Sequence, residues 1–145
     1  MKYALNIIID APVGRVIELY DEPANLERWM DGLEEFESLE GTPREAGSTA
    51  KLKFRMGKRV VEMKETVKVK NPPHEFTFIY EADKVYNIVS ESFSPAPENK
   101  TKYTSMQEFH FKGFMRVFAF FMSAVFKKQS MKYMTNFKIF AEKHA

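Results

Sequence analysis

The chain contains no cysteine. That removes disulfide frameworks, thiol nucleophiles and thiolate metal sites together, and it fits a reducing, cytoplasmic setting. Histidine is almost as scarce: His74, His110 and His144 stand far apart and form no ligand-spaced pair, so no metal is expected. No glycine-rich phosphate loop and no serine elbow occurs, which argues against nucleotide chemistry and triad hydrolysis. No cofactor is expected either. The first ten residues, MKYALNIIID, hold one Lys and a short apolar run broken by Asn6 and stopped by Asp10, a poor secretory signal. The densest apolar run, 114 to 126, is too short to span a bilayer and carries Arg116, so a soluble protein is expected. Asn99-Lys100-Thr101 matches a glycosylation acceptor, but without a secretory signal it reads as a turn entering a strand. The formal net charge is only +2, and electrostatics selects no partner class. The basic stretch Lys51, Lys53, Arg55, Lys58, Arg59 alternates with apolar residues and lacks an outward aromatic platform. It reads as a solvated strand face, and no nucleic-acid partner is expected.

What the chain has is 145 residues with 44% hydrophobic and 29% charged side chains, a globular composition sized for a single domain over 1–145. Within it, 14 Phe and 9 Met are high counts beside one Trp, and such side chains either line an apolar cavity or fill a core.

The longest periodic stretch runs from Gly113 to Lys143 and predicts one long helix. Met115, Met122, Phe126, Tyr133, Phe137 and Phe140 fall on one side at 3.6 residues per turn, and Phe118, Phe121 and Val125 are expected to widen that side. Val117, Phe120, Ala124 and Met131 fall on the back. If that back is open to water, it is an apolar surface for a homodimer contact, a partner or a membrane, with Lys127, Lys128 and Lys132 suited to anionic headgroups.

Before the helix the period is mostly two. Tyr3, Leu5, Ile7 and Ile9 share a strand face. Asp10 with Pro12, then Asp21-Glu22-Pro23, signal two short helices, the second reaching Trp29. Six strands follow as a meander. Ala50, Leu52, Phe54 and Met56 are expected inward, then Val61, Met63, Glu65, Val67 and Val69, with Gly57-Lys58 as the hairpin turn between them. Asn71-Pro72-Pro73-His74 breaks the second of these strands. Phe76, Phe78 and Tyr80 line the next, and Tyr103, Ser105, Gln107, Phe109 and Phe111 the last, leaving His110 on the surface. The strand from Val85 to Phe93 stays open in parity: Val85, Val89 and Phe93 would carry Asn87 and Glu91 inward, but Tyr86 and Ile88 compete.

The expected fold class is α+β: a seven-stranded curved antiparallel sheet wrapped around a long C-terminal helix, with two short helices after the first strand. The order, with Ile9-Asp10-Ala11-Pro12 and Val16, Asn25 and Trp29, Gly41-Thr42-Pro43, Gly47-Ser48, and Asn71-Pro72-Pro73 after Glu65-Thr66-Val67, resembles the helix-grip fold of the START-like, polyketide-cyclase and birch-pollen-allergen (SRPBCC) superfamily. The resemblance implies a cavity between sheet and helix that holds a small hydrophobic molecule, such as a lipid, isoprenoid or aromatic polyketide. It also implies Trp29 at the cavity mouth and no universal catalytic residue.

Glu65 is the most informative position, because strand alternation puts a carboxylate inside, where it is costly unless paired or wet. It is a candidate to orient a ligand or to act as acid or base. Tyr80, Tyr103 and Tyr133 each combine a ring with a hydroxyl. The expected ligand-binding set is Trp29, Phe54, Met63, Glu65, Phe78, Tyr80, Tyr103, Ser105 and Gln107 with the helix residues Phe118, Met122, Phe126 and Tyr133. A cyclase or dehydratase would use Glu65 as proton acceptor and Tyr103 or Tyr133 as donor. A third reading, a protein-interaction module, follows from helix-grip domains that regulate a chaperone ATPase.

Overall fold

A computed structural model describes residues 1–145. Seven strands make one antiparallel sheet: β1 (Lys2–Ile9), β2 (Leu33–Glu40), β3 (Thr49–Met56), β4 (Arg59–Asn71), β5 (Glu75–Ala82), β6 (Val85–Ala96) and β7 (Lys100–Phe111). Their spatial order is β1-β7-β6-β5-β4-β3-β2, a meander whose far edge is completed by the first strand of the chain. Between β1 and β2 lie helix α1 (Val13–Asp21), a 3-10 turn (Pro23–Asn25) and helix α2 (Leu26–Trp29). Helix α3 (Met115–His144) follows β7 and, at 1.5 Å per residue, is on the order of 45 Å long. The fold class expected from the sequence is the one observed.

Local chemistry explains most of the joints. Gly57, with φ of 65°, opens the two-residue turn that brings Met56 opposite Arg59. Asp83-Lys84 does the same between Ala82 and Val85. Ahead of the 3-10 turn, the Glu22 carboxylate accepts from the Ala24 N–H at 3.3 Å. Asp10 caps nothing, contrary to its helix-start signal: Pro12 holds the cap position of α1 without a side-chain bond, and the Asp10 N–H donates to Glu142 on α3 at 2.8 Å.

Two strand expectations need correction. Pairing slips between Val67 and Val69, a bulge at Lys68 that leaves Val69 beside Thr77 and turns Lys70 to the inner face beside Phe76. Met56, expected in the core, is exposed beside the β3–β4 turn.

The helices fill one end of the grip and leave the other loose. At the filled end Tyr20 of α1 is the hub, its ring centroid 5.0 Å from Phe93, 5.3 Å from Phe76 and Phe137, and 5.6 Å from Trp29. Met134, Phe137, Phe140 and Ala141 of α3 are buried there. Toward its start α3 is anchored along the β1–β7 edge. Phe126 stacks on Phe109 at 5.1 Å, and the Tyr3 hydroxyl donates to the Phe126 carbonyl at 3.1 Å and shares a 2.7 Å bond with Ser130. Phe118, Phe121 and Val125 do not widen the buried stripe; all three are exposed. At 100° per residue they lie roughly 60–120° round from its centre, and Ala119 takes the inner position instead.

Candidate ligand-binding interior

The sheet register aligns the inward residues in rows. Glu65, Tyr80, Asn87 and Phe109 form one row, Val67, Phe78, Val89 and Gln107 the next, and Phe76, Glu91 and Ser105 the one deeper toward the filled end. A polar band therefore crosses an apolar wall. The parity of β6 that the sequence leaves open is resolved by this pairing, with Asn87 and Glu91 inside and Tyr86 and Ile88 on the other face.

Glu65 is only 2% exposed, and its cation comes from the loop between β2 and β3: Arg44, 5% exposed, in a left-handed backbone conformation with φ of 70°. The Arg44 guanidinium lies 4.9 Å from the Phe78 ring centroid and 5.7 Å from that of Tyr20. It approaches the Glu65 carboxylate at 3.9 Å and Asp21 at 3.8 Å, and donates to the Tyr20 carbonyl at 3.5 Å. These are long contacts. Arg44 Nε and Asp21 Oδ1 have no hydrogen-bond partner, so the cluster is held by charge more than by tight bonds. Lys70, turned inward by the bulge, completes it at 2.7 Å from Asp21 and 3.1 Å from Glu45. Burial pushes the Glu65 pKa up, and Arg44 and the Tyr80 hydroxyl offset part of that rise. Burial works against the charge of Arg44, but Glu65 and its other partners outweigh it and raise its pKa.

Glu91 has no such cation. It is 8% exposed, its Oε2 has no hydrogen-bond partner, and burial raises its pKa to about 7, with Ser105 and Tyr103 restraining the rise. Tyr103 stacks on Phe93 at 4.7 Å. A relay leads outward from there: Gln107 donates to the Ser105 hydroxyl at 2.9 Å, and Asn87 donates to Gln107 Oε1 at 3.2 Å. A carboxyl poised near neutrality at the end of a polar relay can hold or release a proton or pair with a donor on a bound molecule.

The expected site residues divide by position. Phe54, Phe78, Tyr103, Ser105 and Gln107 are buried on the inner face, while Met63, Tyr80, Met122, Phe126 and Tyr133 are half-buried. Val61, Val85, Asn87, Phe109 and Phe111, inward on the same end of the sheet, are half-buried too, so that end of the inner face is not sealed from solvent. Trp29 is no mouth residue: it is buried in the filled end, 5.1 Å from Phe137. Phe118, off the buried stripe, lies outside the interior. Glu65 has Tyr80 rather than Tyr103 as its hydroxyl neighbour, and Tyr103 accompanies Glu91. Two strands and four residues of register separate the two carboxylates, on the order of 15 Å. Tyr133 packs against the Ala50, Leu52, Phe54 cluster that Tyr80 also touches. His110 is on the surface, 2.7 Å from Glu108. Sequence reasoning missed Arg44, Asp21 and Lys70; the one signal was that an inward Glu65 needs a cation.

No protein-family model and no curated protein matches the chain in sequence. Solved structures do match. An aromatase/cyclase from Streptomyces sp. R1128 superposes with a TM-score of 0.83 at 12% identity, covering 99% of this chain and 94% of its own. Norcoclaurine synthase from Thalictrum flavum gives 0.78 at 15% identity over 100% and 95% of the two chains. Ara h 8.0201 gives 0.76 at 10% identity, covering 97% of this chain and 97% of its own. With the strand order, the long helix and these superpositions in agreement, the chain has the helix-grip fold.

Proposed function

We propose that the chain binds a small lipophilic molecule, an isoprenoid, lipid or aromatic polyketide among them, between the sheet and α3. The observation that carries this reading is an apolar wall that solvent reaches at one end and that holds, deeper in, a Glu91 oxygen with no partner. Apolar burial at roughly 25 cal/mol per Å² supplies affinity, and the polar band gives the ligand one orientation. A hydroxyl or amine on the ligand satisfies Glu91, and an acidic or phenolic group faces Arg44. The absence of cysteine fits a cytoplasmic setting. Titration with an apolar fluorescent probe, with native mass spectrometry of freshly purified protein, tests this. Saturable uptake displaced by an aromatic alcohol is expected, and Glu91→Leu should weaken the alcohol more than its deoxy analogue. No uptake and no co-purified ligand would refute it.

A second reading follows from Glu91 itself. A carboxyl near pKa 7 beside the Tyr103 hydroxyl suits proton transfer in a cyclisation or dehydration. The structural neighbours that are a cyclase and a synthase make that chemistry worth assaying. Turnover of an aromatic polyketide precursor should depend on Glu91 with a pH profile inflecting near neutrality. Full activity in Glu91→Gln would dismiss this reading.

A further inference from the structure

Helix α3 is apolar on its outside as well as its inside for its first three turns. Phe120 is 81% exposed and Phe121 75%, and Phe114, Val117, Phe118 and Val125 are also exposed. Wound at 100° per residue, Val117 to Val125 cover an arc of roughly 160° opposite the face that packs on the sheet. Single exposed hydrophobics need no explanation, but six within twelve residues form a continuous surface.

The charges on this part of the helix have one sign. Arg116 and Lys127 border one side of the arc, Lys128 lies within it, and no Asp or Glu occurs from Lys112 until Glu142. The β3–β4 and β5–β6 turns lie at the same end of the sheet and add Lys58 and Lys84, with Asp83 the one acid in these two turns. Lys84 is bound into this surface: its ammonium sits 4.2 Å from the Phe114 ring centroid, and its carbonyl accepts from the Lys112 N–H at 3.0 Å. Val85 and Phe111, half-buried on the inner face of the sheet, lie at this end too.

We propose that this end of the molecule docks on an anionic lipid bilayer, the outer aromatics of α3 entering the headgroup boundary while the lysines meet lipid phosphates and carboxylates. An aromatic stripe with a cationic border is the composition of a helix that lies in a membrane interface. No helix of the chain is long and apolar enough to span a bilayer. A second copy fits less well, because a twofold contact through this face would oppose Arg116, Lys127 and Lys128 to their own equivalents with no acid on the helix stretch to pair them. Docking sets the half-buried end of the inner face against the lipid, which gives a lipophilic molecule a short path between bilayer and interior; that consequence rests on the carrier reading, whereas docking does not.

Vesicle co-sedimentation decides it. The wild-type chain should pellet with phosphatidylcholine vesicles containing about 30 mol% phosphatidylserine, bind pure phosphatidylcholine at least tenfold more weakly, and be released by salt. Phe120→Ser/Phe121→Ser and Lys127→Glu/Lys128→Glu should each lower partitioning at least tenfold. Both pairs are on the exposed side, so probe uptake without vesicles should match wild type. Absence of binding to anionic vesicles, or binding indifferent to both double variants, overturns the proposal. So does a wild-type dimer in sedimentation velocity that Phe120→Ser/Phe121→Ser turns into monomer. Vesicle binding by a wild-type chain that takes up no probe supports docking and removes the carrier reading alone.

Discussion

Replacing Glu91 by Gln should make the protein more stable in alkali and leave it nearly unchanged in acid. Buried without a cation, the carboxyl keeps its proton to about pH 7 in the folded chain, against an ordinary value of 4.5. Between those values the folded state holds a proton that the unfolded chain has released, so stability falls as pH rises through the window and stays reduced above it. About 2.5 pH units at about 1.36 kcal/mol each is a loss of about 3 kcal/mol at pH 8.5, with relaxation of the site making the true figure smaller. Gln keeps the shape and removes the ionisation. Urea unfolding of both proteins, followed by circular dichroism, should give Glu91→Gln an advantage of about 2–3 kcal/mol at pH 8.5, on the order of 8 °C in Tm, and less than about 1 kcal/mol at pH 5. Other titrating groups cancel in the comparison of variant with wild type. An advantage of equal size at both pH values, or a variant less stable at pH 8.5, would refute the assignment of Glu91 as an unpaired buried acid.

Removing Arg44 should do more damage than removing the whole pair: Arg44→Met strands Glu65 in the interior and should cost about 3–5 kcal/mol in urea unfolding, while Arg44→Met/Glu65→Gln recovers at least half of that. Phe137→Ala, at the centre of the aromatic cluster, should cost about 3–5 kcal/mol in the same assay, because the rings of Tyr20, Trp29 and Tyr103 cannot collapse onto the void. Gly32→Ala should lower Tm by several degrees, about 2 kcal/mol or more, since φ there is 87° and a Cβ would lie 2.5 Å from the Arg55 carbonyl oxygen. Tyr3→Phe should cost about 1 kcal/mol and speed amide exchange near Ser130 on α3, whose link to β1 it breaks.

The sheet was legible because alternation and turn chemistry agree over most of its length. Gly57-Lys58, Asp83-Lys84 and the Asn71 to His74 break each sit where the pairing requires a turn, and the inward place of Glu65 follows from counting by twos. Counting fails where the chain itself slips: the bulge at Lys68 has no marker in the sequence, so alternation keeps Val69 inward where the pairing turns Lys70 in instead. Arg44 was invisible for another reason. It sits in a loop, where no periodicity says which way a side chain turns, and its identity as a partner is fixed only by the three-dimensional approach to Glu65. On α3, periodicity gave the helix and its buried half but not the fate of the first turns. Phenylalanines there surround the axis, and only the extent of the sheet beneath decides which are covered.

The pairing of β1 with β7 ties Ile9 to Thr101 and Lys2 to Glu108, residues about as distant along the polypeptide as this sheet permits. During translation β1 must wait, its Leu5, Ile7 and Ile9 face unsheltered, until β7 has left the ribosome. Sheet closure is then a late event dominated by long-range contacts, which predicts slow maturation and a nascent chain that depends on chaperones to keep that strand from premature partners.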